Sequence, residues 1–207
     1  MKKTGHHTRI LIADDHEIVR LGIKFMLSDN DIFEILEEAI NGFEVYELAK
    51  HYKPDLILMD YLMPEYNGIE AASKIKKLFP YIKIILFTAY EEKLNFYDIL
   101  GSGIDAFLSK DISQDYFLYT IEQVMQNKFV FTKNTIMTLL NISYCNCILN
   151  EKPVVLNDEL SEALRLFYRK EELLLLNEEK EKFADKLKLY FNYILAENNY
   201  DIKKQFA

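Results

Sequence analysis

The chain lacks tryptophan and has only two cysteines among its 207 residues. These cysteines, Cys145 and Cys147, have no further cysteine and no nearby histidine that would complete a metal site. A disulfide framework also has little support in a chain without secretory features, so we expect two reduced thiols. Half of the residues are nevertheless apolar, which is enough for a sizeable core and a second small unit.

Long hydrophobic runs are missing as well. No apolar run approaches the roughly 18 residues that suggest a membrane-spanning helix, and the polar sequence at residues 1–7 has no apolar segment behind it. We therefore expect a cytoplasmic protein without a membrane partner. A net charge of −8 argues against non-specific binding of the whole molecule to nucleic acid, but it does not exclude a local basic surface.

Strand and helix patterns alternate through the first 128 residues. Helical patterns near 17–28, 43–52, 69–78, 91–100 and 113–127 alternate with apolar runs near 9–13, 32–38, 55–59, 82–87 and 104–108. This alternation predicts an α/β fold in which a five-stranded parallel sheet is covered by helices on both faces. The arrangement resembles the flavodoxin-like strand order 2-1-3-4-5.

Polar side chains stand where the predicted strands end. The first strand ends in the pair Asp14 and Asp15, the third in Asp60 and the fourth at Thr88, and the fifth leads to Lys110. Because the carboxyl ends of parallel strands share one edge of the sheet, these side chains are expected to converge on one crevice. Three carboxylates, a hydroxyl and an ammonium suit a divalent cation and a phosphoryl group.

Each residue has an ordinary structural explanation when it is taken alone. Either residue of the aspartate pair would serve as a helix cap, and Thr88 would simply end a strand. Lys110 would be a solvated charge, and Phe107 would be part of the core. These explanations fail jointly, because the residues occupy the ends of successive strands in one order.

Nine residues of this sequence stand in an order and at spacings that resemble those of a known family. They are Asp14, Asp15, Asp60, Met63, Pro64, Gly68, Thr88, Phe107 and Lys110. This set resembles the receiver domain of two-component response regulators over roughly residues 8–128. The segment 15–23 is also similar to the NarL/LuxR-type branch of that family.

The resemblance implies a magnesium site. Asp15, Asp60 and the backbone carbonyl of Leu62 would be direct ligands of Mg²⁺, and Asp14 would act through a bound water. Oxygen ligands of this kind are the ones that Mg²⁺ prefers, and the ion usually keeps several waters.

The resemblance also implies a phosphorylation switch rather than an enzyme with a separate substrate. Asp60 would accept a phosphoryl group from a sensor histidine kinase, while Lys110 and Thr88 would contact the phosphoryl oxygens. Phe107 would be the switch aromatic, turning inward as Thr88 moves toward the phosphoryl group. The changed surface is expected to promote a phosphorylation-dependent homodimer or to alter the binding of another partner.

Two departures from the family pattern stand out. Asp111 follows Lys110 where many receivers have a proline after a cis bond, so a trans bond is expected. Leu62 and Tyr90 occupy the positions that flank the path of the attacking water. An apolar and an aromatic side chain there are expected to slow the loss of the phosphoryl group.

The region after residue 128 is different in character. We predict a receiver domain at 1–128, a linker at 129–157 and a helical output region at 158–207. The segment 193–207 resembles the first two helices of a helix-turn-helix, in which case the recognition helix would be missing. The output would then be transcription regulation through an atypical or truncated DNA-binding unit.

A second hypothesis fits the same region. Residues 183–195 carry an apolar stripe at helical spacing, and no cluster of lysine and arginine marks a nucleic-acid face. The output region would then be a helical module for protein interaction or dimerisation that never touches DNA. A third hypothesis, an unrelated flavodoxin-like binding protein, requires that Asp60 is not phosphorylated.

Overall fold

The computed structural model describes residues 7–89, 102–131 and 154–155. Its strands and helices follow one another in the order β1 (Thr8–Ala13), α1 (Glu17–Leu27), β2 (Phe33–Ala39), α2 (Gly42–Tyr52), β3 (Leu56–Met59), α3 (Gly68–Leu78), β4 (Lys83–Thr88), β5 (Ala106–Ser109), α4 (Gln114–Met125), β6 (Val130–Phe131) and β7 (Val154–Val155). The helix predicted near 91–100 lies outside the described residues.

The strands form one sheet in the order β2-β1-β3-β4-β5-β6-β7. Strands β1 to β5 are parallel, and their order 2-1-3-4-5 confirms the predicted fold. Two short strands extend the sheet beyond β5, where β6 pairs in parallel and β7 pairs with β6 in the antiparallel direction. The polar residues that follow β1, β3, β4 and β5 therefore share one edge.

Both faces of the sheet are buried at the central strands β1, β3 and β4, which explains why these strands are largely apolar runs rather than alternating ones. In β1, Ile10 and Ile12 pack into one core cluster, whereas Leu11 and Ala13 pack into the other. Successive side chains of a strand point to opposite faces, so one short run supplies both cores. All four residues are essentially inaccessible to water.

Short polar residues start two of the helices that cover the sheet. The Asn41 side chain caps α2 by accepting a hydrogen bond from the backbone N–H of Glu44 at 2.7 Å. Asn67 caps α3 in the same way, and the Glu70 side chain accepts from the Asn67 N–H in return, which completes a capping box. Both caps fix where the loops next to the site end.

The short strands β6 and β7 lie within the segment 129–157, which the sequence predicts to be a linker. The predicted output region 158–207 lies outside the described residues, so the domain boundaries stay a prediction. No helix in the described part of the chain is long and apolar enough to cross a membrane.

Candidate functional site

The strand register brings the predicted site residues to one edge of the sheet. Ala13 pairs with Met59, so the aspartates that follow them are neighbours, and the N–H of Asp60 donates to the carbonyl of Ala13 at 2.8 Å. On the other side of the site, the N–H of Lys110 donates to the carbonyl of Thr88 at 2.9 Å. Backbone hydrogen bonds thus set the positions of both pairs.

The ammonium of Lys110 joins the two buried aspartates. Its Nζ lies 2.6 Å from Oδ2 of Asp14 and 3.1 Å from Oδ1 of Asp60. The side chains of Asp14 and Asp60 are only 1% and 6% exposed, so their charges are poorly screened by water. The Lys110 ammonium can therefore supply positive charge to an anionic group that is attached at Asp60.

Burial and neighbouring charge control the protonation of this cluster. Desolvation raises the pKa of Asp60 above its ordinary value, and repulsion from Asp14 adds to the effect, although Lys110 opposes it. Desolvation would lower the pKa of Lys110, but its hydrogen bond to Asp14 and its attraction to Asp60 outweigh that effect and raise it. The lysine therefore stays charged, and a further cation near the site would stabilise the ionised form of Asp60.

Asp15 and His16 form the more exposed side of the site. The Nδ1 atom of His16 lies 2.7 Å from Oδ1 of Asp15, and its backbone N–H donates to Oδ1 of Asp14 at 2.9 Å. Ligand atoms of Asp14, Asp15 and His16 lie within 4.8 Å of one another, a spacing that a metal ion can bridge. The sequence pattern predicts both aspartates in the site but does not indicate His16.

Thr88 ends β4, and Phe107 lies within the adjacent strand β5. Both side chains are fully buried, and Phe107 pairs in register with Leu86, two residues before Thr88. Leu62 is 38% exposed in the loop that follows β3, whereas Tyr90 lies outside the described residues. The described residues contain no cis peptide bond, so the bond between Lys110 and Asp111 is trans.

Two glycines hold the loop between β3 and α3 against its neighbours. A Cβ atom on Gly68 would overlap the backbone oxygen of Asp60, and one on Gly42 would overlap the backbone oxygen of Tyr66. The N–H of Gly42 also donates to the carbonyl of Pro64 at 3.2 Å. The sequence pattern included Gly68 but missed Gly42, whose only signal is its place directly after a helix-capping asparagine.

Comparison with known proteins places this geometry among signalling domains. Residues 10–122 match the family described as the response regulator receiver domain. The response regulator protein VraR of Staphylococcus saprophyticus is 36% identical over 133 residues, and VraR of Staphylococcus epidermidis is 35% identical over the same length. The match covers 64% of this chain and 64% of those relatives, so the chain spans less than two thirds of their length.

Solved structures give the same result for the fold. The signal receiver domain of NarL from Mycobacterium tuberculosis superimposes with a TM-score of 0.54 at 27% identity and covers 58% of this chain and 98% of that one. A DNA-binding response regulator of the LuxR family from Staphylococcus aureus superimposes with a TM-score of 0.54 at 28% identity, and covers 57% of this chain and 98% of that one. The similarity is thus to receiver domains.

Proposed function

This chain belongs to the response regulator receiver family, and from that membership we propose that Asp60 is its phosphoacceptor and a sensor histidine kinase its phosphoryl donor. A two-component response regulator is a signalling protein whose receiver is switched by phosphorylation. The observation that carries the proposal is the position of Lys110, whose ammonium contacts both Asp14 and Asp60.

The proposed chemistry uses groups that the fold already aligns. An oxygen of the Asp60 carboxylate attacks the phosphorus of a phosphohistidine, the phosphorus–nitrogen bond breaks, and the imidazole leaves with the bonding electrons. Transfer of this kind depends mainly on positioning and on neutralising the charge of the moving group. Lys110 supplies one positive charge at 3.1 Å from Asp60, and Thr88 supplies a hydroxyl donor at the end of β4.

The acidic cluster fits a magnesium ion. Asp14 and Asp60 are buried and the Asp15 side chain is 33% exposed, so the cluster offers several carboxylate oxygens, of which those of Asp15 are the most open to solvent. We propose Asp15, Asp60 and the backbone carbonyl of Leu62 as direct ligands, with Asp14 acting through water. Bound Mg²⁺ would neutralise charge on the transferring phosphoryl oxygens. The raised pKa of Asp60 supports this assignment, because a second cation would relieve its burial and its repulsion from Asp14.

The switch is proposed to run from Thr88 to Phe107. Thr88 is fully buried at the end of β4, next to Ser109 in the register, and Phe107 lies two residues earlier on β5. Movement of Thr88 toward a phosphoryl group would change the packing around Phe107 and shift a two-state equilibrium. The altered surface would promote a homodimer.

Transcription regulation is the output that we propose for the rest of the chain. One similar structure is that of a DNA-binding response regulator of the LuxR family, which supports a DNA-binding output here. Residues 158–207 would supply it through an atypical helix-turn-helix. The alternative is a helical module for interaction or dimerisation, which the acidic charge of the chain favours.

Phosphorylation is tested by incubating the full chain with Mg²⁺ and acetyl phosphate and measuring its intact mass. We expect the wild type to gain one phosphoryl group and Asp60→Asn to gain none. Asp111→Asn is the matched control, since Asp111 is an exposed aspartate beside Lys110, and it should be labelled like the wild type. Labelling of Asp60→Asn at the wild-type level would refute the assignment.

The output is tested on the phosphorylated full chain. Salt-dependent retention on random-sequence DNA, lost in Asp60→Asn, would support transcription regulation. Self-association on phosphorylation without retention on DNA would instead support the interaction module.

A further inference from the structure

Residues 14–16, between β1 and α1, form a short segment that we call the acidic loop. Arg20 on α1 contacts the backbone of this loop rather than its carboxylates. Its Nη1 donates a hydrogen bond to the backbone carbonyl oxygen of Asp14 at 2.8 Å. Its Nε donates to Oε2 of Glu38 at 2.7 Å, and Glu38 also accepts from Nζ of Lys24 at 2.5 Å. The Arg20 side chain is 12% exposed, so β2, α1 and the end of β1 are joined by a largely shielded guanidinium.

The bond from Arg20 completes the restraint of Asp14. The N–H of Asp14 donates to the carbonyl of Ala39 at 3.1 Å, and its carboxylate accepts from Lys110 at 2.6 Å and from the backbone N–H of His16 at 2.9 Å. The peptide unit that joins Asp14 to Asp15 is planar. A hydrogen bond that holds the Asp14 carbonyl therefore also restrains the backbone N–H and Cα of Asp15. The position of Asp15 therefore depends on Arg20.

We propose that Arg20 is a positioning residue for the metal site, holding the Asp14–Asp15 peptide so that both carboxylates face the ion. This inference rests on the magnesium site proposed above. Arg20 touches neither the ion nor the phosphoryl group, and it acts through the backbone. Groups that orient metal ligands in this way commonly change metal affinity by about 10-fold or more when they are removed.

The positive charge of Arg20 and its hydrogen bond to Asp14 have opposite effects on the affinity for Mg²⁺. A cation near the acidic loop repels Mg²⁺, so removing the charge alone would tighten binding. Loss of the hydrogen bond to the Asp14 carbonyl would free the peptide and weaken binding. The direction of the change in affinity therefore separates a positioning residue from a mere charge.

Lys24 provides the matched control. It pairs with the same carboxylate, Glu38, but its ammonium makes no hydrogen bond to Asp14. Lys24→Gln therefore removes one charge and one partner of Glu38 and leaves the Arg20 contact in place. Any effect of weakening the Glu38 network would appear in both variants, whereas an effect through the Asp14 carbonyl would appear in Arg20→Gln alone.

The test is calorimetric titration of the unphosphorylated full chain with MgCl₂. We expect Arg20→Gln to weaken Mg²⁺ binding about tenfold and Lys24→Gln to leave it within about twofold of the wild type. Equal or tighter binding by Arg20→Gln would overturn the inference. Wild-type protein that binds no Mg²⁺ would instead refute the proposed magnesium site itself, so the two failures are distinguishable.

Arg20→Lys keeps the positive charge, and it replaces Arg20→Gln in the Mg²⁺ titration if Arg20→Gln does not fold. A lysine lacks the planar fork that reaches Glu38 and the Asp14 carbonyl together, so weaker Mg²⁺ binding supports the inference and wild-type binding overturns it. Phosphorylation by acetyl phosphate gives a second readout. The Mg²⁺ concentration for half-maximal rate should rise in the Arg20 variants, while the rate at saturating Mg²⁺ stays near that of the wild type.

Discussion

The ammonium of Lys76 lies 2.6 Å from the carboxylate of Asp105, at the edge of the sheet opposite the acidic site. Asp105 is 6% exposed and also accepts hydrogen bonds from Lys83 Nζ at 3.0 Å and from the backbone N–H of Ile84 at 3.0 Å. This carboxylate thus ties α3, β4 and β5 together at the point where β5 begins.

Asp105→Ala is expected to lower the free energy of unfolding by about 3 kcal/mol, because it removes the buried carboxylate that pairs with the ammonium groups of Lys76 and Lys83. Urea denaturation of both proteins measures the change. Glu47→Ala is the control, since its pair with Lys50 is exposed and should contribute no more than about 0.5 kcal/mol. Equal decreases in the free energy of unfolding for the two substitutions would show that the ion pairs of Asp105 contribute no more than an exposed pair.

Asp60→Asn is expected to stabilise the metal-free protein at pH 7, because it removes a buried negative charge that lies close to Asp14. Burial raises the pKa of Asp60, so the folded protein binds a proton there more tightly than the unfolded chain does. The stability this carboxyl contributes is present below its unfolded pKa and is lost as the pH rises through its raised folded pKa.

Denaturation in EDTA from pH 4 to pH 8 measures this effect. The difference between Asp60→Asn and the wild type should grow with pH and shrink when Mg²⁺ is added to the wild type. A variant that is less stable than the wild type across the whole range would contradict the burial argument.

Gly68→Ala is expected to cost about 2 kcal/mol and to slow phosphorylation, because the new methyl group would overlap the backbone oxygen of Asp60. Gly22→Ala is the matched control. Gly22 lies in α1, and an added Cβ there would meet no neighbouring element, so alanine should stabilise the helix by about 0.5–1 kcal/mol. Thermal unfolding and the labelling assay measure the two effects, and full activity of Gly68→Ala would argue against close packing at this loop.

Leu62→Asn combined with Tyr90→Ser is expected to shorten the lifetime of the phosphorylated protein, because polar groups would admit and orient the attacking water. Leu62 lies in the loop directly after Asp60, and its side chain is 38% exposed. The decay of the phosphorylated mass after removal of acetyl phosphate gives the half-life. Ile32→Asn, a polar substitution at another exposed apolar residue, should leave the half-life unchanged. An unchanged half-life in the double variant would remove the proposed role of these two positions.

The strand order and the identity of the strand-end residues were accessible from sequence because they depend on local patterns. Apolar runs of strand length alternate with helical periods, and such alternation permits few topologies. Asp14, Asp60, Thr88 and Lys110 end or follow strands, so the topology alone predicts that they meet at one edge. The structure brings these residues together as expected, and their chemical roles stay predictions.

Contacts between distant elements could not be read from those patterns. Lys110 and Asp14 are 96 residues apart, and the 2.6 Å between their charged atoms depends on how β1 and β5 are placed in the sheet. The same is true of Arg20 and the Asp14 carbonyl, and of Lys76 and Asp105. Local sequence patterns predict burial and backbone conformation. These hydrogen bonds and ion pairs depend instead on the relative positions of whole helices and strands. The chain by itself therefore determined the sheet and the residues at its edge, and only the tertiary structure decided which side chains hold the acidic loop in place.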